Sequence, residues 1–390
     1  MSRQGEVLLT GATGFVGMEV LARYLEHSQR KITCLVRAES ESGARARIEQ
    51  VLDNLFAQQA GSYAERVVAL PAELTSEYLG LGQERFEELA ARVDTIVHSA
   101  ASVSFSMPLE EARAVNVEGT RRMVQFAQLS AAKGGLERYA QISTAYVAGT
   151  HEGRFCEQDL DLGQGFHNSY ERSKFEAEQL VRTLGAELPW MILRPSIVVG
   201  DSGSGWTSAF NVLYWPLRAL SVGLFRSVPA VPDAPVDVVS VNYVADAIHE
   251  LCEGDSEVRQ TYHLTAGHSC STMAEIMAAA CGYFRRPAPL VVPPAEFIAN
   301  SEAGSDAALE AGAIYFPYFS VAAEFDNTLT RQRLSRAGIE AEPLNSYLDR
   351  LLDFATRSRW GKRPIARAQA LYAAQAVARL ARSTPSPMAG

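Results

Sequence analysis

The chain has 390 residues, 47% hydrophobic and 21% charged, with a formal net charge of −9. That length supports one large domain or two moderate ones. No apolar run reaches the roughly 20 residues of a membrane helix, and so acidic a body argues against nucleic-acid binding.

The first element is read as a strand, EVLLTG (6–11), followed at once by a helical pattern, VGMEVLARYLEH. Gly11, Gly14 and Gly17 lie between them, three residues apart. A loop there aims backbone N–H groups and a helix N-terminus at an anion, and side chains would block a pyrophosphate. The motif therefore predicts a dinucleotide. The second strand, KITCLVR (31–37), ends on Arg37, twenty residues after Gly17. An NAD enzyme usually places an acid there, whereas an arginine suits a 2′-phosphate. Arg45 and Arg47 follow closely, so the expected cofactor is NADP(H).

Further strands are RVVALPA (66–72), DTIVHSA (94–100), RYAQIST (138–144) and WMILRPSIVVG (190–200), alternating with helical stretches. This alternation predicts an α/β fold with a Rossmann-type, doubly wound parallel sheet covered on both faces. The expected organisation is a cofactor domain over 1–265, a smaller and mainly helical substrate portion over 266–380, and a disordered tail over 381–390. Residues 205–225, GWTSAFNVLYWPLRALSVGLF, are apolar and aromatic. Trp206, Phe210, Leu213, Leu217 and Leu220 recur at roughly helical spacing, though Pro216 should kink or end a helix. This stretch, within a substrate-side insertion over 201–235, serves equally as core or as a wall or lid on the substrate side.

The chemistry is carried by SYERSKFEAEQL, where Tyr170 and Lys174 are four apart on one helix face. Ser143 and Thr144 close the fifth strand, where such a sheet presents its chemistry. A tyrosine near its free pKa of about 10 relays protons poorly at neutral pH, and lowering it to near 7 takes roughly 4 kcal/mol. A neighbouring ammonium and a cationic nicotinamide can supply that. Tyr170 is then the general acid, Lys174 its electrostatic support, and Thr144 a second donor to the substrate oxygen.

Together these motifs resemble an extended short-chain dehydrogenase/reductase from about residue 6 to 265. The resemblance rests on TGATGFVG (10–17), HSAASV (98–103), NVEGT (116–120), ISTAYVAG (142–149), YERSK (170–174) and LRPSIVVG (193–200). CLVRAES with Arg47, EYLGLGQERFEELAARVDTIVHSAA, and FDNTLTRQRL (325–334) are more similar to the thioester-reductase branch. That branch includes fatty acyl-CoA reductases and the terminal reductase domains of carboxylic acid reductases and nonribosomal peptide synthetases. The resemblance implies Thr10, Gly11, Thr13, Gly14, Phe15, Val16 and Gly17 around the cofactor phosphates, with Arg37 and Arg47 beyond them. It implies Ser99, Ala100 and Ala101 in the cleft, and Arg194 and Pro195 on the nicotinamide side beside Tyr170 and Lys174. Asn116 supports the helix of Tyr170. The family's Gly-Asp-Leu is here Ala72-Glu73-Leu74, so Glu73 stands in for the aspartate beside Leu74. Its Pro-x-Asp is here Ser240-Val241-Asn242.

The implied reaction is hydride transfer from NADPH to an acyl thioester, of CoA or a carrier protein, giving an aldehyde or, after a second round, an alcohol. Two other readings share the core motifs. One is an epimerase, dehydratase or dehydrogenase acting on a sugar nucleotide or hydroxysteroid, against which stand Arg37 and the long C-terminal portion. The other is an inactive NADP-sensing protein, which would be expected to have a broken Tyr/Lys pair. Cys34, Cys156, Cys252, Cys270 and Cys281 are odd in number, widely spaced and outside the motifs, which fits free thiols in a reducing cytoplasm and no metal site. The opening MSRQGEVLLTGATG runs directly into a strand pattern without a charged n-region and h-region, so no signal peptide is expected there. From Arg331 onward eleven Arg or Lys face four Asp or Glu, a balance of +7, leaving −16 on the first 330 residues. This basic region reads first as a solvated helical face; Arg350, Arg357, Arg359, Lys362, Arg363 and Arg367 in it are alternatively candidates to attract CoA phosphates or an acidic carrier protein. The helical IARAQALYAAQAVARLAR reads as an ordinary terminal helix rather than one lying on an anionic membrane surface, because its alanines make a weak apolar face. The oligomeric state is left open.

Overall fold

A computed structural model describes residues 5–210, 212–224, 227–292, 313–319 and 321–383. Seven parallel strands form the central sheet: β1 (Glu6–Thr10), β2 (Ile32–Val36), β3 (Val67–Pro71), β4 (Val93–His98), β5 (Arg138–Ile142), β6 (Trp190–Pro195) and β7 (Gln260–Leu264). Their spatial order is β3-β2-β1-β4-β5-β6-β7. The order reverses between β1 and β4, and a crevice opens there beyond the strands' carboxyl ends.

Both faces of the sheet are covered, which is why its strands read as continuous apolar runs. Val7 and Leu9 of β1 face a core built with α1 (Phe15–His27), α2 (Glu41–Phe56) and α7 (Val241–Glu253). Leu8 faces the opposite core, with α3 (Gln83–Ala90), α4 (Gly119–Lys133) and α5 (Ser169–Leu184). A third core lies on the substrate side. It joins residues after β5, the segment around α6 (Tyr214–Ser221), helix α8 (Met273–Phe284), and helix α10 (Leu348–Arg357).

The expected division at 265/266 is crossed in both directions. Residues 201–235 share the third core with much of 266–380, while Leu334, Phe354 and Ala370 belong to the core over α1 and α2. Arg367, at the start of α11 (Arg367–Ser383), pairs with buried Glu19 at 2.6 Å and with Glu26 at 3.1 Å. Of the expected tail, residues 381–383 complete α11 and 384–390 lie outside the described residues.

Pro216 neither ends nor kinks a helix. It is the third residue of α6, in the first turn, where a missing N–H breaks no i→i−4 bond. Trp206, Leu213, Leu217 and Leu220 are core residues, 1–6% exposed. The strand expected over 190–200 breaks after Pro195, and Ile197–Val199 pairs with Val238–Ser240 instead.

Candidate active site

The glycine loop forms one end of a cavity of about 530 Å3, lined by Gly11, Gly14, Phe15, Val16 and Gly17. Gly11 has φ +77, and a Cβ there would lie 2.7 Å from the nitrogen of Ala100. A Cβ on Gly17 would lie 2.1 Å from the carbonyl oxygen of Gly11, so only glycine lets α1 approach the loop this closely. Gly14 caps α1 with no side chain, and the first residues of the helix line the cavity. Orphan donors at a helix N-terminus beside a bare glycine cradle fit a pyrophosphate.

Thr10 is fully buried. Its hydroxyl pairs with Nδ1 of His98 at 2.7 Å and accepts from the N–H of Ala100 at 3.1 Å, tying β1 to the loop after β4. Burial and the nearby Lys174 charge push His98 down to about 3, so this imidazole is neutral. Arg47 reaches back from α2 to donate to the carbonyl of Arg37 and, at 3.3 Å, to the hydroxyl of Thr13. The exposed Arg37 and Arg47 thus stand together at the outer rim of the loop. Glu73 is exposed, and its carboxylate accepts from the N–H and hydroxyl of Thr75. Leu74 packs against the core with α3 and α4.

The middle of the cavity gathers Thr144, Tyr170 and Lys174. Thr144 caps the short turn Ala145–Ala148 by accepting from the N–H of Tyr146 at 3.2 Å, which leaves its hydroxyl proton available. Tyr170 and Lys174 project from the first turns of α5, whose N-cap Asn168 accepts from the N–H of Glu171 at 3.0 Å. Asn116 lies in a π-helical stretch, Ala114–Glu118. It clasps both backbone polar groups of Ser102 and donates to the hydroxyl of Ser173 at 2.9 Å, locking the loop after β4 to α5. Ser99 and Ala101 line the cavity; Ala100 is held behind them by Thr10.

Burial pushes the Tyr170 phenol up to about 12, with the Thr144 hydrogen bond drawing it partly back. Burial pushes the Lys174 ammonium down to about 8, opposed by Glu178. The expected lowering of Tyr170 toward neutrality is therefore not a property of the protein alone. Tyr170 holds its proton at pH 7, the state a proton donor requires.

Pro195 lines the cavity, but Arg194 does not. The expectation that Arg194 borders the nicotinamide is corrected by its packing. It is fully buried and engages Glu178 at 2.7 Å, Nε2 of His263 at 3.0 Å and the carbonyl of Asp159 at 2.8 Å. The basic region is corrected in part as well: Arg367 is paired with Glu19, and Arg350 donates to the carbonyl of Ser202 at 2.6 Å. Arg357, Arg359, Lys362 and Arg363 remain exposed.

The far end of the cavity escaped the sequence reading. Phe105 comes from the loop after β4, Tyr146 from the turn after Thr144, and Tyr315 and Tyr318 from the 310 turn Ala313–Phe319. Phe105 stacks on Tyr318, with ring centres 5.2 Å apart, and lies 5.6 Å from the ring of Tyr170. The aromatic run YFPYF at 315–319 was the available signal. Ser143 also lines the cavity, and its buried hydroxyl has no partner there. The C-terminal FDNTLTRQRL segment works at a distance. Buried Glu157 accepts from the N–H groups of Leu329 and Thr330 at the start of α9 (Thr328–Leu334), and from that of His263 on β7. Among the described residues no group of three or more His, Cys, Asp or Glu is placed to hold a metal, and no helix is long and apolar enough to cross a membrane.

Residues 9–248 match the NAD-binding domain family described as male sterility protein. The chain belongs to this family. As a member it is an NAD(P)-dependent oxidoreductase of the extended short-chain dehydrogenase/reductase type. The family member is similar to the isonitrile lipopeptide synthase of Streptomyces coeruleorubidus, 33% identical over 253 residues, which are 64% of this chain and 16% of that protein. It is similar to the aldehyde reductase lnbA of Aspergillus flavus, 29% identical over 273 residues, 67% of this chain and 26% of that one. The chain thus spans about a quarter or less of the length of these relatives. Among solved structures it resembles the terminal R domain of the myxalamid PKS-NRPS biosynthetic pathway, with TM-score 0.80, 26% identity and 94% of each chain covered.

Proposed function

We propose that this family member is an NADPH-dependent reductase of acyl thioesters, carried on phosphopantetheine or CoA, that releases the aldehyde. The observation that carries this reading is the composition of the cavity wall. Beyond Thr144, Tyr170 and Lys174 its described lining is apolar, aromatic or hydroxyl-bearing, and Lys174 is the one charged side chain among those residues. An apolar and aromatic wall suits an acyl chain, which brings no polar group that needs a partner there. The relatives named as a lipopeptide synthase and an aldehyde reductase support the same reading.

The bound dihydronicotinamide would supply a hydride to the thioester carbonyl carbon. Tyr170 gives its proton to the carbonyl oxygen, which Thr144 holds by a hydrogen bond, and a hemithioacetal results. Lys174 stabilises the phenolate left behind. The phenolate then recovers the hemithioacetal proton as the C–S bond breaks, and the thiolate takes a proton from water. The products are aldehyde and thiol, and a second round on the same site would give an alcohol. Two exposed cations at the rim of the glycine loop, Arg37 and Arg47, support NADPH over NADH in this reading.

The test is NADPH consumption with a series of acyl thioesters and the matching aldehydes, with products identified. Thioester turnover abolished by Tyr170→Phe, with NADPH binding kept, is the expected result. Turnover of aldehydes alone, or substantial residual activity in Tyr170→Phe, would overturn it.

A further inference from the structure

Glu171 follows Tyr170 directly and has no exposed surface. Its role as a helix cap explains only half of it. One carboxylate oxygen accepts from the N–H of His167 at 2.8 Å and lies 3.1 Å from Nδ1 of the same residue, a first-turn arrangement that also suits the helix dipole. The other oxygen is turned away from α5. It accepts from the hydroxyl of Tyr318 at 2.7 Å, across 147 residues of sequence. Asn168 donates to the same hydroxyl at 2.9 Å, so the phenol is satisfied as both donor and acceptor. A buried carboxylate costs free energy unless its lone pairs are filled, and here a residue of the cavity wall fills one.

Tyr318 is 2% exposed and forms part of that wall. Its ring stacks on Phe105, with an interplanar angle of 21°, and meets the edge of Tyr146 at 4.8 Å. Phe105 in turn packs on Tyr170. The first turn of α5 therefore fixes the wall by two routes: through the polar end of Tyr318, and through the ring stack to the acid itself.

We infer that Glu171 and Tyr318 form a latch that sets the acyl-binding wall at a fixed distance from Tyr170, making both positioning residues for the thioester carbonyl. The inference rests on the thioester-reductase reading of the site. Neither residue transfers a proton or touches the glycine loop. Losing the latch loosens the acyl group while leaving cofactor binding intact.

The experiment is a double-mutant cycle on Tyr318→Phe and Glu171→Ala, with steady-state kinetics on an N-acetylcysteamine hexanoyl thioester, NADPH dissociation constants by fluorescence titration, and thermal midpoints. Tyr318→Phe keeps the ring and its stacking, so it tests the hydroxyl in a folded protein. It should raise KM for the thioester roughly tenfold, the size expected for one hydrogen bond to a charged group, while NADPH affinity stays within about twofold. If the two residues act through one contact, the double variant should be no worse than the poorer single. Glu171→Gln, which can still accept from Tyr318, should recover most of the loss. Multiplied losses in the double variant, or a KM unchanged by Tyr318→Phe, would overturn the latch. A fall in NADPH affinity and thermal midpoint that tracks the loss would reduce Glu171 to a helix cap. No reduction of any thioester by the unmodified protein would instead overturn the functional reading, and the latch with it.

Discussion

Lys174 donates from Nζ to the carbonyl oxygen of Ile142, 2.7 Å away at the end of β5, and is only 3% exposed. Its pKa of about 8 means it is a cation at pH 7 and becomes neutral as pH rises through 8. Tyr170, at about 12, stays protonated across that range. The cation helps only while a phenolate is forming, so its loss slows proton donation. The single-turnover rate of thioester reduction should fall between pH 7 and 9 with a midpoint near 8, while NADPH affinity stays flat. In Lys174→Met the rate should be low throughout and this step absent. A step that persists in the variant would assign the titration to another group.

Arg47 links Arg37 to Thr13 across the rim of the glycine loop. Its guanidinium is therefore both a loop brace and the candidate partner of a 2′-phosphate. Arg47→Ala should weaken NADPH by roughly 10- to 100-fold, as for one lost charge-assisted contact, and NADH by much less. Isothermal titration with both cofactors measures the ratio. Equal weakening would leave Arg47 as a brace alone.

Gly14 and Gly17 look alike in sequence but differ in their surroundings. A Cβ on Gly17 would meet backbone at 2.1 Å, whereas one on Gly14 would have its nearest neighbour at 3.3 Å. Gly17→Ala should therefore destabilise the protein by about 1–3 kcal/mol even without cofactor. Gly14→Ala should cost less than about 1 kcal/mol and act mainly on NADPH affinity, because the new methyl group lies at the cavity. Urea unfolding of both variants, paired with cofactor titration, separates the two effects.

The legible parts of the site were local ones. The glycine loop, Thr144 and the Tyr170–Lys174 pair depend on spacing within one turn or one helix, and the structure brings them to one cavity. Six of the seven sheet strands were visible as apolar runs. The seventh, Gln260–Leu264, was not, because it lies at the sheet edge and carries Gln260, Thr261 and His263. His263 is buried as a neutral ring against Arg194 and Phe155, so a strand position that reads as polar is interior. The aromatic wall was illegible for a different reason. Phe105, Tyr146 and Tyr318 meet only through tertiary packing, and no periodicity in sequence encodes contacts spanning about 170 to 210 residues. The 205–225 stretch allowed two roles, and the structure divides them: Trp206 and the leucines fill core, while Ala209 and Val212 line the cavity.

Arg194 shows most sharply how a motif residue can serve the site without reaching it. It lies on β6 with no exposed surface, and Glu178 on α5, one turn beyond Lys174, is its counter-charge. The pair pins the catalytic helix to the sheet. Removing one partner of a buried pair leaves an uncompensated charge and costs about 3–5 kcal/mol, while replacing both can be near neutral. Glu178→Leu should therefore lower stability by that amount, and Arg194→Met combined with Glu178→Leu should restore much of it. Glu178 also supports the Lys174 charge, so its loss should lower the Lys174 pKa further. The double variant, once refolded, should keep NADPH affinity but show its alkaline loss of activity at a lower pH than the unmodified protein. Thermal unfolding read beside the pH–rate profile tests both halves. A double variant as unstable as the single would show that the pair is not the anchor of α5.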